Sequence, residues 1–177
     1  MKILLCLFTF YLTTLSYIYS QKIIDIKLPI QENSEIPLQS SPQKTITTAT
    51  KTSYLQVIEE IQKKGFVSID TETDNPSPVK AELIGISCSL EPNKGYYLPI
   101  GHNYPNAPVQ LEKQKALDLL RDIISSPDIK KIGQNLKYDY IVFKNNGIEM
   151  EGIDLDTMLL SYLLDPNRRN HNLDDLA

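Results

Sequence analysis

The sequence predicts a mixed α/β fold, a β-sheet flanked by helices. Three observations carry that prediction. Short apolar runs occur at residues 66–70, 83–90 and 96–100, the last two separated by the turn sequence Pro92-Asn93-Lys94-Gly95, which reads as a hairpin. Apolar residues recur at helical spacing at Tyr54, Val57, Ile58 and Ile61, and again at Leu111, Ala116, Leu119, Leu120 and Ile123. Toward the C-terminus, short strand patterns each lead directly into a helix pattern.

The elements follow in order. Lys2, the apolar stretch 3–12 and Thr14-Leu15-Ser16 as a small-x-small site make residues 1–20 leader-like. That stretch is too short, and too polar at its end, to span a bilayer as a helix. Residues 31–52 are rich in Ser, Thr, Pro, Gln and Lys without apolar periodicity and read as linker. The expected organisation is therefore a leader-like segment (1–20), a disordered linker (21–45) and one globular domain (46–177). The first helix ends at Lys63-Lys64-Gly65, and residues 66–70 form the first strand of the sheet proper. The second helix is expected over 109–124. Residues 131–133 form a short strand before a helix over 136–145, which Asn146-Gly147 stops. A last strand over 154–156 precedes a helix over 158–164. Asp156 stands where an N-cap belongs, and capping is the stronger reading of it than catalysis.

The composition restricts the function. A chain of 177 residues with 18 Lys and Arg against 22 Asp and Glu, a net charge of −4, is poorly suited to grip nucleic acid by charge alone. Two cysteines, Cys6 and Cys88, are too few for a disulfide framework, and Cys88 in its apolar strand reads as a small core hydrophobe. His102 and His171 lie too far from other ligand types for a zinc site.

The chemistry is concentrated in carboxylates. In a strand, residues i and i+2 share a face, so Asp70 and Glu72 project side by side at the end of the first strand. Two adjacent carboxylates repel one another and lose hydration unless a cation lies between them, and Mg2+ prefers carboxylate oxygen. Asp139, in the helix pattern after Gly133, adds a third acid, and three acids on neighbouring elements can seat two metals for phosphodiester hydrolysis. The competing reading is that such acids cap helices and decorate turns.

The residues around these acids carry a family resemblance. Phe66 to Thr73 (FVSIDTET) resembles the first motif of the DnaQ-like DEDD exonucleases. Gly133 to Tyr140 (GQNLKYDY) resembles their second motif in the 3′–5′ proofreading exonuclease domain of bacterial DNA polymerases I. AELIGISCS at 81–89, GYYLPIGH at 95–102 and GIDLDTMLLSYLL at 152–164 extend the similarity over 46–177. The resemblance implies a ribonuclease H-like mixed sheet, incomplete at the C-terminus, and a 3′–5′ exonuclease that releases 5′-mononucleotides in replication proofreading and repair. It implies two Mg2+ or Mn2+ ions. Asp70 would touch both, Glu72 would hold the one that activates water, and Asp139 would help hold the second. Single-stranded DNA 3′ ends would be the substrate, with Thr71, Gln134, Asn135, Tyr138 and His171 as contacts. Strand alternation gives Thr71 and Thr73 a competing role, filling space on the opposite face, and core packing competes for Tyr138.

Departures from the family pattern carry further expectations. Pro76 stands where a base-wedging Leu is common, and Asn170 where an Arg is common, with Arg168 and Arg169 beside it. Tyr-x-x-x-Asp, the third motif, does not follow Asp139; Tyr162-Leu163-Leu164-Asp165 has the wrong spacing. The expectation is that these residues alone have little exonuclease activity and that a separately encoded polymerase portion is a partner. A ribonuclease D-like RNA exonuclease and a non-catalytic nucleic-acid-binding remnant are the alternatives. The expected location is the cytoplasm, with the nucleoid, and without stable membrane association. Export or organelle targeting through residues 1–20 is the alternative.

Overall fold

The structure, a computed structural model, describes residues 45–48, 51–105, 107 and 110–176. The leader-like segment and nearly all of the expected linker lie outside them. The order of elements is β1 (Thr45–Thr48), α1 (Lys51–Lys64), β2 (Phe66–Thr73), β3 (Leu83–Glu91), β4 (Lys94–Pro99), α2 (Lys113–Ile124), β5 (Lys130–Gly133), α3 (Leu136–Asn145), β6 (Ile153–Asp156), α4 (Thr157–Leu164) and α5 (Leu173–Leu176). The strands form one mixed sheet in the order β1-β4-β3-β2-β5-β6. β3 is antiparallel to both β2 and β4, while β5 and β6 run parallel to β2. The C-terminal ends of β2, β4, β5 and β6 therefore emerge at one edge of the sheet, where open α/β sheets place their ligands.

Alternation along the strands sorts the core. Val67 and Ile69 of β2, with Ile86, Cys88 and Leu90 of β3 and Tyr96 and Leu98 of β4, bury against Tyr54, Val57 and Ile61 of α1 and Leu117, Leu120 and Ile123 of α2. Each such side chain contributes about 1.5 to 3 kcal/mol. Phe143 and Val142 dock α3 on the same side. On the opposite face Phe66, Ile132 and Leu155 meet Leu173 of α5. Cys88 is a buried free thiol that burial pushes up to about 12, so it stays neutral and packs as a hydrophobe. α4 is different: Leu159, Tyr162, Leu163 and Leu164 are all at least half exposed.

Three elements in the first part of the chain depart from the sequence reading. Thr45–Thr48, inside the stretch read as linker, is a strand paired in parallel with β4. Threonine is β-branched, so Thr-Ile-Thr-Thr fits a pleated edge as readily as a polar linker. The second helix begins at Lys113 and not at 109, which leaves Leu111 outside it. The cause is Gln110, whose Oε1 accepts from the His102 N–H at 2.7 Å while its Nε2 donates to the His102 carbonyl at 2.7 Å. That two-way clasp holds residue 110 beside the chain leaving β4 and delays the first helical turn. β2 also runs three residues further than expected, so Asp70 and Glu72 lie inside a hydrogen-bonded ladder.

β5 holds a buried cation. Lys131 is fully covered, and its ammonium donates to the Ser126 carbonyl at 2.5 Å. Burial pulls its pKa down to about 8, and Glu151 offsets part of that fall. Between pH 8 and the usual lysine value the unfolded chain holds a proton that the folded chain has shed, so this group's penalty on stability is relieved as pH rises. Lys131→Met is therefore expected to be at least as stable as the natural chain at pH 7, with the gap between the two thermal midpoints narrowing from pH 8 to 10. Parallel melting temperatures across that range would count against the buried ammonium.

Candidate active site

The acids are assembled from β2 and α3. Asp70 pairs across the ladder with Ser87 of β3, and Glu72 with Gly85, which puts both carboxylates on the face of the sheet away from α1 and α2. Thr71 points the other way, as alternation requires, and there it does more than fill space. Its backbone N–H donates to Asp139 Oδ1 at 2.8 Å and its hydroxyl donates to the same oxygen at 2.7 Å. Asp139 is 2 % exposed, Glu72 5 % and Thr71 7 %. Burial first, and the charge of Asp70 second, push the Asp139 carboxyl well above the usual carboxylate range, while the two Thr71 donors pull it part of the way back.

A cavity of about 400 Å³ opens over this group, lined on one side by residues 70–76 and on the other by Gln134, Asn135, Tyr138 and Asp139. Both walls are pinned. Tyr138 donates its hydroxyl to the Asn75 carbonyl at 2.5 Å and shares a hydrogen bond with Thr73 Oγ1 at 2.5 Å, which fixes the phenol and leaves its ring beside the cavity. Asp74 accepts from the Glu82 N–H at 2.8 Å, closing the loop after β2.

α3 is delivered to the cavity by an abrupt turn. Gly133 ends β5 where a Cβ would stand 2.2 Å from Leu136 Cδ2, so glycine leaves the room that the buried Leu136 side chain fills at the start of the helix. Asn135 then takes the left-handed conformation at φ 60°, and its side chain does not cap its own helix. The cap is supplied by Asp156: one carboxylate accepts from the N–H groups of Asn135 (3.1 Å) and Leu136 (2.8 Å) and also from those of Met158 (2.9 Å) and Leu159 (3.2 Å). Asp156 is thus an N-cap, as the sequence indicated, but of two helices at once.

The expected contacts separate into two groups. Asp70, Thr71, Glu72, Gln134, Asn135, Tyr138 and Asp139 all reach the cavity. His171 does not. It is buried beneath α4, its Nδ1 shares a 2.8 Å hydrogen bond with Ser161 Oγ, and its ring stacks on Tyr162 at 3.7 Å. Gln134 links the two regions: its Nε2 donates to the His171 carbonyl at 2.8 Å and its Oε1 accepts from Thr157 Oγ1. The carboxamide of Gln134 is committed to the protein. The double grip of Thr71 on Asp139 escaped the sequence reading because strand alternation tells which face a side chain takes and not what waits there.

No three His, Cys, Asp or Glu side chains among the described residues come together around one point that could hold a metal ion. The donor chemistry nonetheless fits a hard cation. Asp70 and Asp139 destabilise one another's charge, and a divalent ion between carboxylates relieves that repulsion.

Comparison with known proteins bears on the family and the fold. The family model described as 3′–5′ exonuclease matches residues 45–177. The chain belongs to that family. DNA polymerase I of Synechocystis sp. is 38 % identical over 146 residues, 81 % of this chain and 14 % of the relative. DNA polymerase I of Borreliella burgdorferi is 35 % identical over 148 residues, 84 % of this chain and 16 % of the relative. The chain thus spans about a seventh of the length of the curated relatives it matches. Among solved structures, the POL domain of Pol1 from M. smegmatis in complex with DNA primer-template and dNTP aligns over 74 % of this chain and 21 % of its own, with a TM-score of 0.59 and 16 % identity. A nuclease in its apo form aligns over 66 % of this chain and 52 % of its own, with a TM-score of 0.50 and 22 % identity. The fold is the ribonuclease H-like mixed sheet that the sequence predicted.

Two outcomes follow from the turn into α3. Asp156→Ala removes the cap of both helices and is expected to cost about 2 to 3 kcal/mol in urea unfolding, since one N-cap contributes about 1 kcal/mol and α3 also carries Asp139; a loss below 0.5 kcal/mol would contradict the shared cap. Asn135→Ala is expected to cost about 1 to 2 kcal/mol because alanine resists positive φ, whereas Asn135→Gly keeps the backbone and loses only the carboxamide. Equal stability of the alanine and glycine variants would argue against the left-handed turn.

Proposed function

We propose that this chain belongs to the unit that performs the 3′–5′ exonuclease activity of its family on DNA, the proofreading and repair unit of a DNA polymerase I-type protein. The observation that carries the reading is that Asp70, Glu72 and Asp139 all line one cavity, in a chain that matches the exonuclease family over residues 45–177. The substrate is the 3′ end of a single strand and the product a nucleoside 5′-monophosphate.

Asp70, Glu72 and Asp139 would hold Mg2+ or Mn2+. Such ions, when bound, supply a water of lowered pKa and offset the charge that develops on the departing 3′ oxygen. The chain's own residues do the positioning. Thr71 fixes Asp139 against the repulsion of Asp70, so the acid from α3 stays at the site through substrate exchange. The Tyr138 ring, clamped by its hydroxyl, offers a rigid face on which a terminal base can stack, a contact worth about 1 to 3 kcal/mol. The Asn135 carboxamide, released from capping duty, can bond sugar or phosphate. Gln134 acts through the protein and not on the substrate.

A polymerase portion as partner is part of the same reading, since the curated relatives are DNA polymerases I of much greater length. We place the protein with the chromosome in the cytoplasm. No helix among the described residues is long and apolar enough to cross a membrane.

The test uses the purified chain, Mg2+ or Mn2+ and a 5′-labelled single strand, alone and with a second polypeptide supplying a Tyr-x-x-x-Asp helix. Shortening by single nucleotides from the 3′ end is expected with the supplement, and its loss by at least 100-fold in Asp70→Ala. Shortening that survives Asp70→Ala, or of RNA alone, would reject the assignment.

A further inference from the structure

β4 and the chain leaving it are built toward Glu72. In the ladder Asp70 stands opposite Ser87, and Ser87 opposite Tyr97, so Tyr97 shares the face of the sheet that bears the acids. Glu72 stands opposite Gly85, which has no side chain to offer it. Tyr97 fills that place. A Cβ on Gly85 would lie 2.0 Å from the Tyr97 hydroxyl oxygen and 2.5 Å from the ring carbon that carries it. Side chains directly opposite in an antiparallel pair have Cβ atoms about 5 Å apart, so the tip of Tyr97 occupies the position from which residue 85 would flank Glu72.

The tyrosine is held in that reach from two directions. Its hydroxyl shares a 2.6 Å hydrogen bond with His102 Nε2, and the His102 main chain is clasped by Gln110 through the two bonds described above. The ladder itself breaks at this point: Glu72 pairs with Gly85 but Thr73 pairs with Leu83, which leaves Ile84 as a β-bulge. The Ile84 carbonyl accepts from the N–H groups of Ile100 (2.9 Å) and Gly101 (3.0 Å), so the bulge beside Glu72 is tied to the segment that delivers His102. Burial pushes the Tyr97 phenol up to about 12, with Tyr104 adding to the shift, so it remains a neutral hydroxyl at working pH.

We propose that Tyr97, admitted by Gly85 and braced by His102, is the positioning residue of Glu72, holding that carboxylate toward Asp70 in the orientation a divalent cation requires. The inference deepens the exonuclease reading and rests on it for the part played by the cation. Glutamate has several rotatable bonds, and a glycine across the ladder would leave it free to swing over β3; the phenol closes that route.

The experiment follows the Glu72 carboxylate directly, by carbon-13 NMR of the full chain without metal, with the resonance assigned by its loss in Glu72→Gln. Mn2+ titration is run in parallel on the natural chain, on Asp70→Asn and on Tyr97→Phe. Tyr97→Phe keeps the ring and removes the hydroxyl. It is expected to shift or broaden the Glu72 resonance while leaving other glutamates in place, and to weaken Mn2+ binding about tenfold, the usual scale for a group that orients a ligand. His102→Gln, which leaves Tyr97 intact but takes away its brace, is expected to move the same resonance by a smaller amount. A Glu72 resonance unchanged in both variants overturns the positioning role whatever the metal does. A resonance that moves in a chain whose natural form binds no Mn2+ supports the positioning role and overturns the metal reading instead.

Discussion

Asp139 sits almost fully buried next to Asp70, a position that an ionised carboxylate resists both for lost hydration and for like charge. Two donors from a single residue, the N–H and the hydroxyl of Thr71, keep it there. The rest of the site depends on this tie because it is where helix α3 is registered against strand β2. Tyr138 and Asn135 are placed on the cavity only if the helix that bears them keeps its seat. The hydroxyl of Thr71 belongs to the site as much as the acids do, although it faces away from Asp70 and Glu72.

The geometry divides labour between faces of one strand. In the second half of β2 the even positions, 70 and 72, carry acids and the odd positions carry attachments: Ile69 to the core, Thr71 to Asp139, Thr73 to Tyr138. The period of two that makes a strand amphipathic is used here to separate chemistry from support. On the acid side the neighbouring strand contributes only small residues, Ser87 and Gly85, which leaves room for groups arriving from further away.

Much of this was legible beforehand. The bounds of α3 follow from an apolar helical pattern stopped by Asn146-Gly147, and Asp156 was recognisable as a cap because an acid directly before a helix pattern has that common use. The paired acids were readable from strand alternation, and the other residues that line the cavity were expected only through the family resemblance. What escaped had a shared cause, in that it depended on partners distant in sequence. Threonines at 45–48 looked like linker until β4 supplied an edge to pair with, and the late start of α2 required Gln110 to find His102. His171, expected at the substrate, turned inward because Ser161 and Tyr162 offered it a polar and a stacking neighbour at once. The second helix capped by Asp156 could not be read from spacing, since the N–H groups of Asn135 and Leu136 lie 21 and 20 residues upstream.

That shared cap gives the site a fulcrum. α3 and α4 begin on the same carboxylate, so neither can rotate at its N-terminus without taking the other along or breaking bonds to Asp156. The far arm of this lever, α4, presents Leu159, Tyr162 and Leu163 to the outside, while the near arm carries Asp139. Mechanical load on the outer helix is transmitted to the acid through a pivot about one side chain wide, with the rigid peptide planes of two first turns as the linkage. Stiffness at the cavity is therefore set in part by whatever bears on the outer surface of α4.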